Sequence, residues 1–109
     1  MSIRIGVIGT GGIGGDHIRR IRNSLSGAVV TAVSDPDTER ASASIDGVQG
    51  ACVVGDGLDL INRSDVDAVL IASPGATHAD FLTACLRIRK PVFCEKPLAT
   101  NVADAWRVF

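Results

Sequence analysis

With 109 residues, the chain is long enough for one domain with a hydrophobic core and too short for two of ordinary size, so 1–109 reads as a single folding unit. Eleven basic and 12 acidic side chains leave a net charge of -1, and no Lys/Arg run interleaves with aromatics, so the electrostatic footprint of a nucleic-acid binder is missing. Cys52, Cys85 and Cys94 are odd in number and lack CxxC spacing, which argues against a disulfide framework and against a zinc site. Reduced thiols, glycines that interrupt any N-terminal signal-like run, and the lack of a membrane-length apolar stretch lead to the expectation of a cytoplasmic protein with no membrane partner.

In chain order, the nearly continuous apolar run Ile3 to Ile8 has the pattern of a parallel strand buried on both faces. A glycine cluster follows, then Ile18, Ile21 and Leu25 at helical spacing, with Arg19, Arg20 and Arg22 between them facing water. Asn23 to Gly27 ends that helix. Ala28 to Val33 is apolar and β-branched, a second strand stopped at Ser34-Asp35-Pro36. Pro36 suits the first turn of a helix running from about Asp37 to Ile45, and a weak third strand is expected at Ala51 to Val54. Asp56 and Asp59 resemble a capping box for a small helix whose apolar contacts fall to Leu58 and Ile61. Ala68 to Ala72 is the fourth strand. Thr77-His78-Ala79-Asp80 repeats the capping-box pattern ahead of a helix with Phe81, Ala84, Cys85 and Ile88 on its inner face. Pro91 to Cys94 is the fifth strand, and Val102, Ala105, Trp106 and Phe109 fall on one face of a last helix. This alternation predicts an α/β fold: a Rossmann-type, doubly wound parallel sheet of order 3-2-1-4-5 with helices on both faces. The last helix stops at Phe109 with no terminating signal, so the expectation is a chain truncated before a second domain.

A diphosphate is held by backbone N–H groups and the positive end of a helix dipole. Gly9-Thr10-Gly11-Gly12-Ile13-Gly14 supplies both where the first strand turns into the first helix. There Gly9 permits the tight turn, Gly11 admits the pyrophosphate to the backbone, and Gly14 brings the helix close to the strand. Gly12 and Ile13 belong to the same turn. A lone GxGxxG is a weak signal, but here it follows a strand, opens a helix, and precedes an acidic residue at the expected distance. That residue, Asp35, comes 21 positions after Gly14 at the end of the second strand. Its carboxylate either accepts the adenosine ribose hydroxyls, caps the helix beginning at Pro36, or does both. It repels a 2′-phosphate, and with no arginine immediately after it, NAD is expected rather than NADP. His17, one turn into the first helix, reads as a packed or surface residue rather than a catalytic one.

Cys94-Glu95-Lys96-Pro97-Leu98-Ala99 resembles the EKP signature of the Gfo/Idh/MocA oxidoreductase family, and the glycine fingerprint, Asp35, the Ser73-Pro74 loop with His78, and EKP follow in the family's order. The resemblance covers essentially the whole chain. Within the family, Arg4 to Gly11, Asp16 to Arg20, Leu25 to Ala28 and Val92 to Thr100 are most similar to the inositol-dehydrogenase branch. The resemblance implies NAD-dependent oxidation of a secondary alcohol of a polyol, myo-inositol giving scyllo-inosose, with Lys96 catalytic. Bottom-up chemistry agrees with the place of Lys96, since open α/β sheets bind ligands at the carboxyl ends of their strands. An ammonium there can stabilise the reacting oxygen; otherwise Lys96 is a surface lysine. Glu95 orients Lys96 through an ion pair or is a strand-end charge in water, and Pro97 admits a cis peptide that would aim the lysine. Ser73 and Pro74 fall where their backbone lines the cofactor. His78 is either a polar residue of that cofactor loop or simply part of the first helical turn. The family's second, mostly β-sheet domain carries an Asp-x-x-x-His pair whose histidine is the general base; no such pair occurs here. This part alone is therefore expected to bind NAD weakly or not at all, and not to turn over. The full-length protein is expected to be a homo-oligomer acting on a small polyol or sugar. The alternatives are another sugar or polyol dehydrogenase of the same family, or a non-catalytic NAD-sensing module.

Overall fold

The structure, a computed structural model, describes residues 2–23 and 27–95. Strands β1 (Ile3–Ile8), β2 (Ala28–Ser34), β3 (Cys52–Val53), β4 (Ala68–Ile71) and β5 (Val92–Cys94) form one parallel sheet of order β3-β2-β1-β4-β5. This is the predicted order. Helices α1 (Gly12–Asn23), α2 (Thr38–Ser44), α3 (Gly57–Ile61) and α4 (His78–Arg87) connect the strands. The predicted last helix, from Val102 to Phe109, lies outside the described residues, as do Leu25 and Lys96.

Alternation along β1 and β4, and along β2 with a register shift opposite Ile5 and Gly6, sorts the apolar side chains into two cores. Val7, Val30, Val33 and Leu70 point to the face covered by Ile18 and Ile21 of α1 and Ala41 of α2. Ile8, Ala32, Val69 and Ile71 point to the other, covered by Leu60 and Ile61 of α3 and Leu82 and Cys85 of α4. With both faces covered, β1 and β4 need apolar residues at consecutive buried positions, which is why they were legible as continuous or nearly continuous runs. β3 is only two residues long, shorter than the predicted Ala51 to Val54, because it pairs with β2 only at Ala32 and Val33.

Helix boundaries correct several expectations. Pro36 precedes α2 rather than opening it: Asp37 is the N-cap, its carboxylate accepting from the Arg40 N–H at 3.0 Å. Asp56 caps α3 as expected, through the Leu58 N–H, but Leu58 is 43% exposed while Leu60 and Ile61 are fully buried. In a five-residue helix, only the positions facing the sheet are covered. Thr77 makes no capping bond, because a 3-10 turn, Gly75–Thr77, runs directly into α4 and the threonine hydroxyl donates instead to the Pro74 carbonyl. Ile88 is the C-cap of α4 and 46% exposed; His78, Ala79, Leu82 and Cys85 are buried, and Phe81 and Ala84 pack partly buried against the same core as expected.

Lys90, between α4 and β5, anchors the far end of α3. Its Nζ donates to the carbonyls of Ile61 at 2.6 Å and Arg63 at 2.9 Å, satisfying groups that a short helix leaves without internal partners. Lys90→Met keeps the aliphatic stem and removes those two charge-assisted bonds. It should lower stability by about 1–3 kcal/mol in urea unfolding, with an unchanged m-value.

Candidate dinucleotide site

The sheet reverses direction at β1, which has β2 on one side and β4 on the other. The connections leaving β1 and β4 therefore part company, and a crevice opens at the carboxyl ends of the strands. That crevice has a volume of about 580 Å³ and is lined by the glycine turn, by Asp35, Pro36, Asp37 and Arg40 after β2, and by Ala72, Ser73 and Pro74 after β4. The elements that the sequence singled out at three separate places thus share one wall-to-wall site.

The turn is possible only for glycine at two positions. Gly9 has φ +93°, and a Cβ on it would sit 2.5 Å from the Ser73 nitrogen. A Cβ on Gly14 would overlap the carbonyl oxygen of Gly9, so a side chain there would push α1 off the turn. Gly11 and Gly12 are different: a Cβ on Gly11 would meet only the Arg40 guanidinium at 3.7–3.9 Å, and one on Gly12 would meet nothing within 4 Å. Their bareness leaves space in the crevice and does not serve packing. α1 starts at Gly12 with no acidic residue in its first turn, so the positive end of its dipole is not countered locally. Ile13 is 56% exposed on the crevice wall. The cradle has the chemistry to hold an anionic diphosphate, for which the backbone N–H groups of Gly11 to Gly14 could serve as donors.

Asp35 is the most densely bonded side chain of the site. One oxygen accepts from the Thr10 N–H (2.8 Å), the Thr10 hydroxyl (3.0 Å) and Arg40; the other accepts from the Asp37 N–H (2.8 Å) and again from Arg40. Burial by itself raises this carboxyl, but hydrogen bonds from the Thr10 and Asp37 N–H groups, Arg40 and the Thr10 hydroxyl prevail and hold it at about 2. The helix that Asp35 was expected to cap begins two residues later, with its own N-cap. Arg40 is the residue that reading for an immediately following arginine overlooks. It sits in the first turn of α2, where the strand end and the helix start face each other, and its Nη2 lies 2.9 Å from Asp35. The Asp35 side chain is 1% exposed, so a ribose hydroxyl reaches its oxygens only when Arg40 gives way.

On the opposite wall, the Ser73 and Thr77 hydroxyls share a hydrogen bond at 2.6 Å. The His78 Nε2 lies 2.7 Å from the Ser73 carbonyl oxygen, which can only accept, so that nitrogen carries the proton. His78 is 1% exposed and does not line the crevice; it stands behind the Ser73-Pro74 loop and braces it.

Glu95 pairs with His17 at 2.6 Å, both side chains partly buried, and the imidazole edge packs on Phe93 with ring centroids 6.0 Å apart. The first turns of α1 are thereby tied to the end of β5. Nothing in the spacing of His17 and Glu95, 78 positions apart, could have announced this pair. Cys85 and Cys94 are pushed up to about 11 by burial, which keeps both thiols protonated.

Comparison with known proteins agrees with this geometry. The model of an oxidoreductase family with the NAD-binding Rossmann fold matches residues 3–109. Inositol 2-dehydrogenase 3 of Saccharopolyspora erythraea is 52% identical over 108 residues, and inositol 2-dehydrogenase of Acidiphilium cryptum is 52% identical over 109; each match takes in 99% of this chain and 32% of the relative. The crystal structure of myo-inositol dehydrogenase from Lactobacillus casei, in complex with NAD(H) and myo-inositol, superposes with a TM-score of 0.94 at 41% identity, over 99% of this chain and 32% of that one. The chain thus spans about a third of the length of these relatives.

Proposed function

This chain belongs to the oxidoreductase family with the NAD-binding Rossmann fold, and from that membership we propose that it is the cofactor-holding part of an NAD-dependent polyol dehydrogenase, with myo-inositol as substrate. The observation that carries the proposal is the crevice at the switch between β2 and β4, where a turn only glycine can make faces the carboxylate of Asp35. NAD, when bound, supplies the hydride acceptor. The chain's own residues bind and orient it: backbone N–H groups of Gly11 to Gly14 take the diphosphate, Asp35 takes the adenosine ribose in exchange for Arg40, and the Ser73-Pro74 loop borders the nicotinamide end. Ile13 excludes water from the diphosphate. Glu95, held by His17, fixes the start of the Glu95-Lys96-Pro97 segment against α1, and Lys96 stabilises the substrate oxygen from which the proton leaves. His78 acts at one remove, by holding Ser73.

The substrate pocket and the general base belong, in this proposal, to a second domain of a longer protein, since relatives are about three times the length of the match. Residues 1–109 alone should therefore yield no inositol-dependent NADH. An NMR titration of the chain with NAD should shift the amides of Gly9 to Gly14, Asp35 and Ser73, with a Kd on the order of 1 mM. Unmoved amides at those positions would remove the cofactor assignment. In the product of the complete reading frame, Lys96→Ala should lower kcat for myo-inositol by roughly 10²–10⁴ while NAD affinity changes less than about threefold. A variant with near-normal kcat would remove Lys96 from the chemistry.

A further inference from the structure

The pair formed by His17 and Glu95 joins parts of the molecule that the sheet keeps apart. α1 follows β1, and β4 stands between β1 and β5, so the imidazole reaches across the end of β4 to the residue after β5. Its Nε2 lies 2.6 Å from Glu95 Oε1, and since a carboxylate oxygen accepts, that nitrogen carries the proton. The ring meets Phe93 at an interplanar angle of 69°, which fixes the direction in which the N–H points. The Glu95 backbone needs no such help: its N–H donates to the Ile71 carbonyl at 3.0 Å and continues the ladder between β4 and β5. The sheet therefore sets where the Glu95 backbone stands, and His17 sets where its charge goes.

That charge is next in the chain to Lys96. A carboxylate and an ammonium on adjacent residues attract, and an ammonium already held by a carboxylate has less of its field left for a reacting oxygen. On the reading above, in which Lys96 stabilises the substrate oxygen, we propose that His17 is a positioning residue for the reaction: it draws the Glu95 carboxylate towards α1 and so keeps it from neutralising Lys96. His17 does not line the crevice, and it acts only through Glu95. The two side chains are 21% and 29% exposed, so water weakens this pair less than an open surface pair such as Arg19 with Asp16. One consequence is specific to the arrangement. Loss of His17 does its harm through what Glu95 then does, so removal of Glu95 as well restores the rate.

The test uses the product of the complete reading frame. The kcat and KM for myo-inositol and the Kd of NAD are measured for wild type, His17→Ala, His17→Gln and the double variant H17A/E95A, with circular dichroism to check folding. H17A should lower kcat about 10–100-fold while KM and the NAD Kd change less than about threefold. H17Q, whose amide offers an N–H at nearly the reach of Nε2, should be at least about fivefold faster than H17A. H17A/E95A should also be at least about fivefold faster than H17A, a sign of coupling that mere loss of support does not produce. A double variant no faster than H17A, H17Q no faster than H17A, or a wild-type kcat in H17A overturns the proposal. Should H17A fail to fold, His17→Asn, polar but too short to reach Glu95, is compared with and without E95A, and the same outcomes decide. Lys96→Ala separates the two readings. A normal kcat in K96A overturns the role of Lys96 and this proposal with it; a slow K96A beside a double variant that does not recover overturns the role of His17 alone.

Discussion

Gly14→Ala should abolish NAD binding and destabilise the fold by about 3 kcal/mol or more, whereas Gly12→Ala should leave stability unchanged or slightly higher. Both residues lie in the first turn of α1, and alanine has the better helix propensity by about 1 kcal/mol, so propensity alone predicts that both changes stabilise. Space decides otherwise. At Gly14 the added methyl would overlap the Gly9 carbonyl oxygen, an atom of the backbone that no rotamer change can move. Relief requires α1 to move away from β1, which opens the packing of Ile18 and Ile21 on the sheet and swings the helix N-terminus out of the crevice. At Gly12 the methyl meets nothing within 4 Å. Urea unfolding of the two variants, with an NAD titration of each, separates a turn that merely tolerates glycine from one that requires it. Equal stability for G14A and G12A would show that α1 is not fixed against the turn.

Asp35→Ala should cost about 3–5 kcal/mol at neutral pH and flatten the acid limb of the stability curve. The substitution strands the Thr10 N–H and hydroxyl, both in a residue only 4% exposed, and leaves Arg40 without its partner. The pH dependence follows from linkage. Asp35 titrates at about 2 in the folded chain, below its ordinary 3.8, so the unfolded chain binds the proton more tightly and protonation favours unfolding. Its contribution is fully present above about pH 4 and disappears as the pH falls from there towards 2. The difference is about 2 kcal/mol, because each pH unit between the two values is worth roughly 1.4. Asp67 is also held at about 2, by hydrogen bonds from Arg4, but on an exposed pair that water screens. Unfolding free energies from pH 7 to pH 2 should therefore fall more steeply for wild type than for D35A. Parallel curves would show that the Asp35 network carries no net stability.

Much of the molecule was legible in the sequence because its determinants are local. Strands covered on both faces are apolar at consecutive positions wherever they are buried, and β1, β2 and β4 were visible by such runs at Val7-Ile8, Ala32-Val33 and Val69 to Ile71. The alternation of strands with helical segments fixed the class, and the sheet has the predicted Rossmann-type order 3-2-1-4-5. The glycine turn was readable as well, since φ above zero at Gly9 and a vanishing gap at Gly14 are demands that one residue type meets. Asp35 could be placed at the cleft from its position at a strand end.

The choice of partner for individual side chains was not legible, whether the partner is near or far in sequence. Whether Leu58 or Leu60 is the core residue of α3 depends on the rotation of five residues against the sheet, which no periodicity can set over so short a length. Thr77 had the sequence of a cap, but the preceding 3-10 turn placed the Pro74 carbonyl within reach of its hydroxyl, and that bond prevailed. Arg40 meets Asp35 across the turn from β2 into α2, and His17 meets Glu95 only because β1 and β5 are folded into one sheet with their carboxyl ends aligned. The sequence by itself determined that a dinucleotide could be cradled after β1, since backbone geometry there is dictated residue by residue. Tertiary structure alone decided which charges stand around that cradle and what already occupies them, because a salt bridge is set by distance in space.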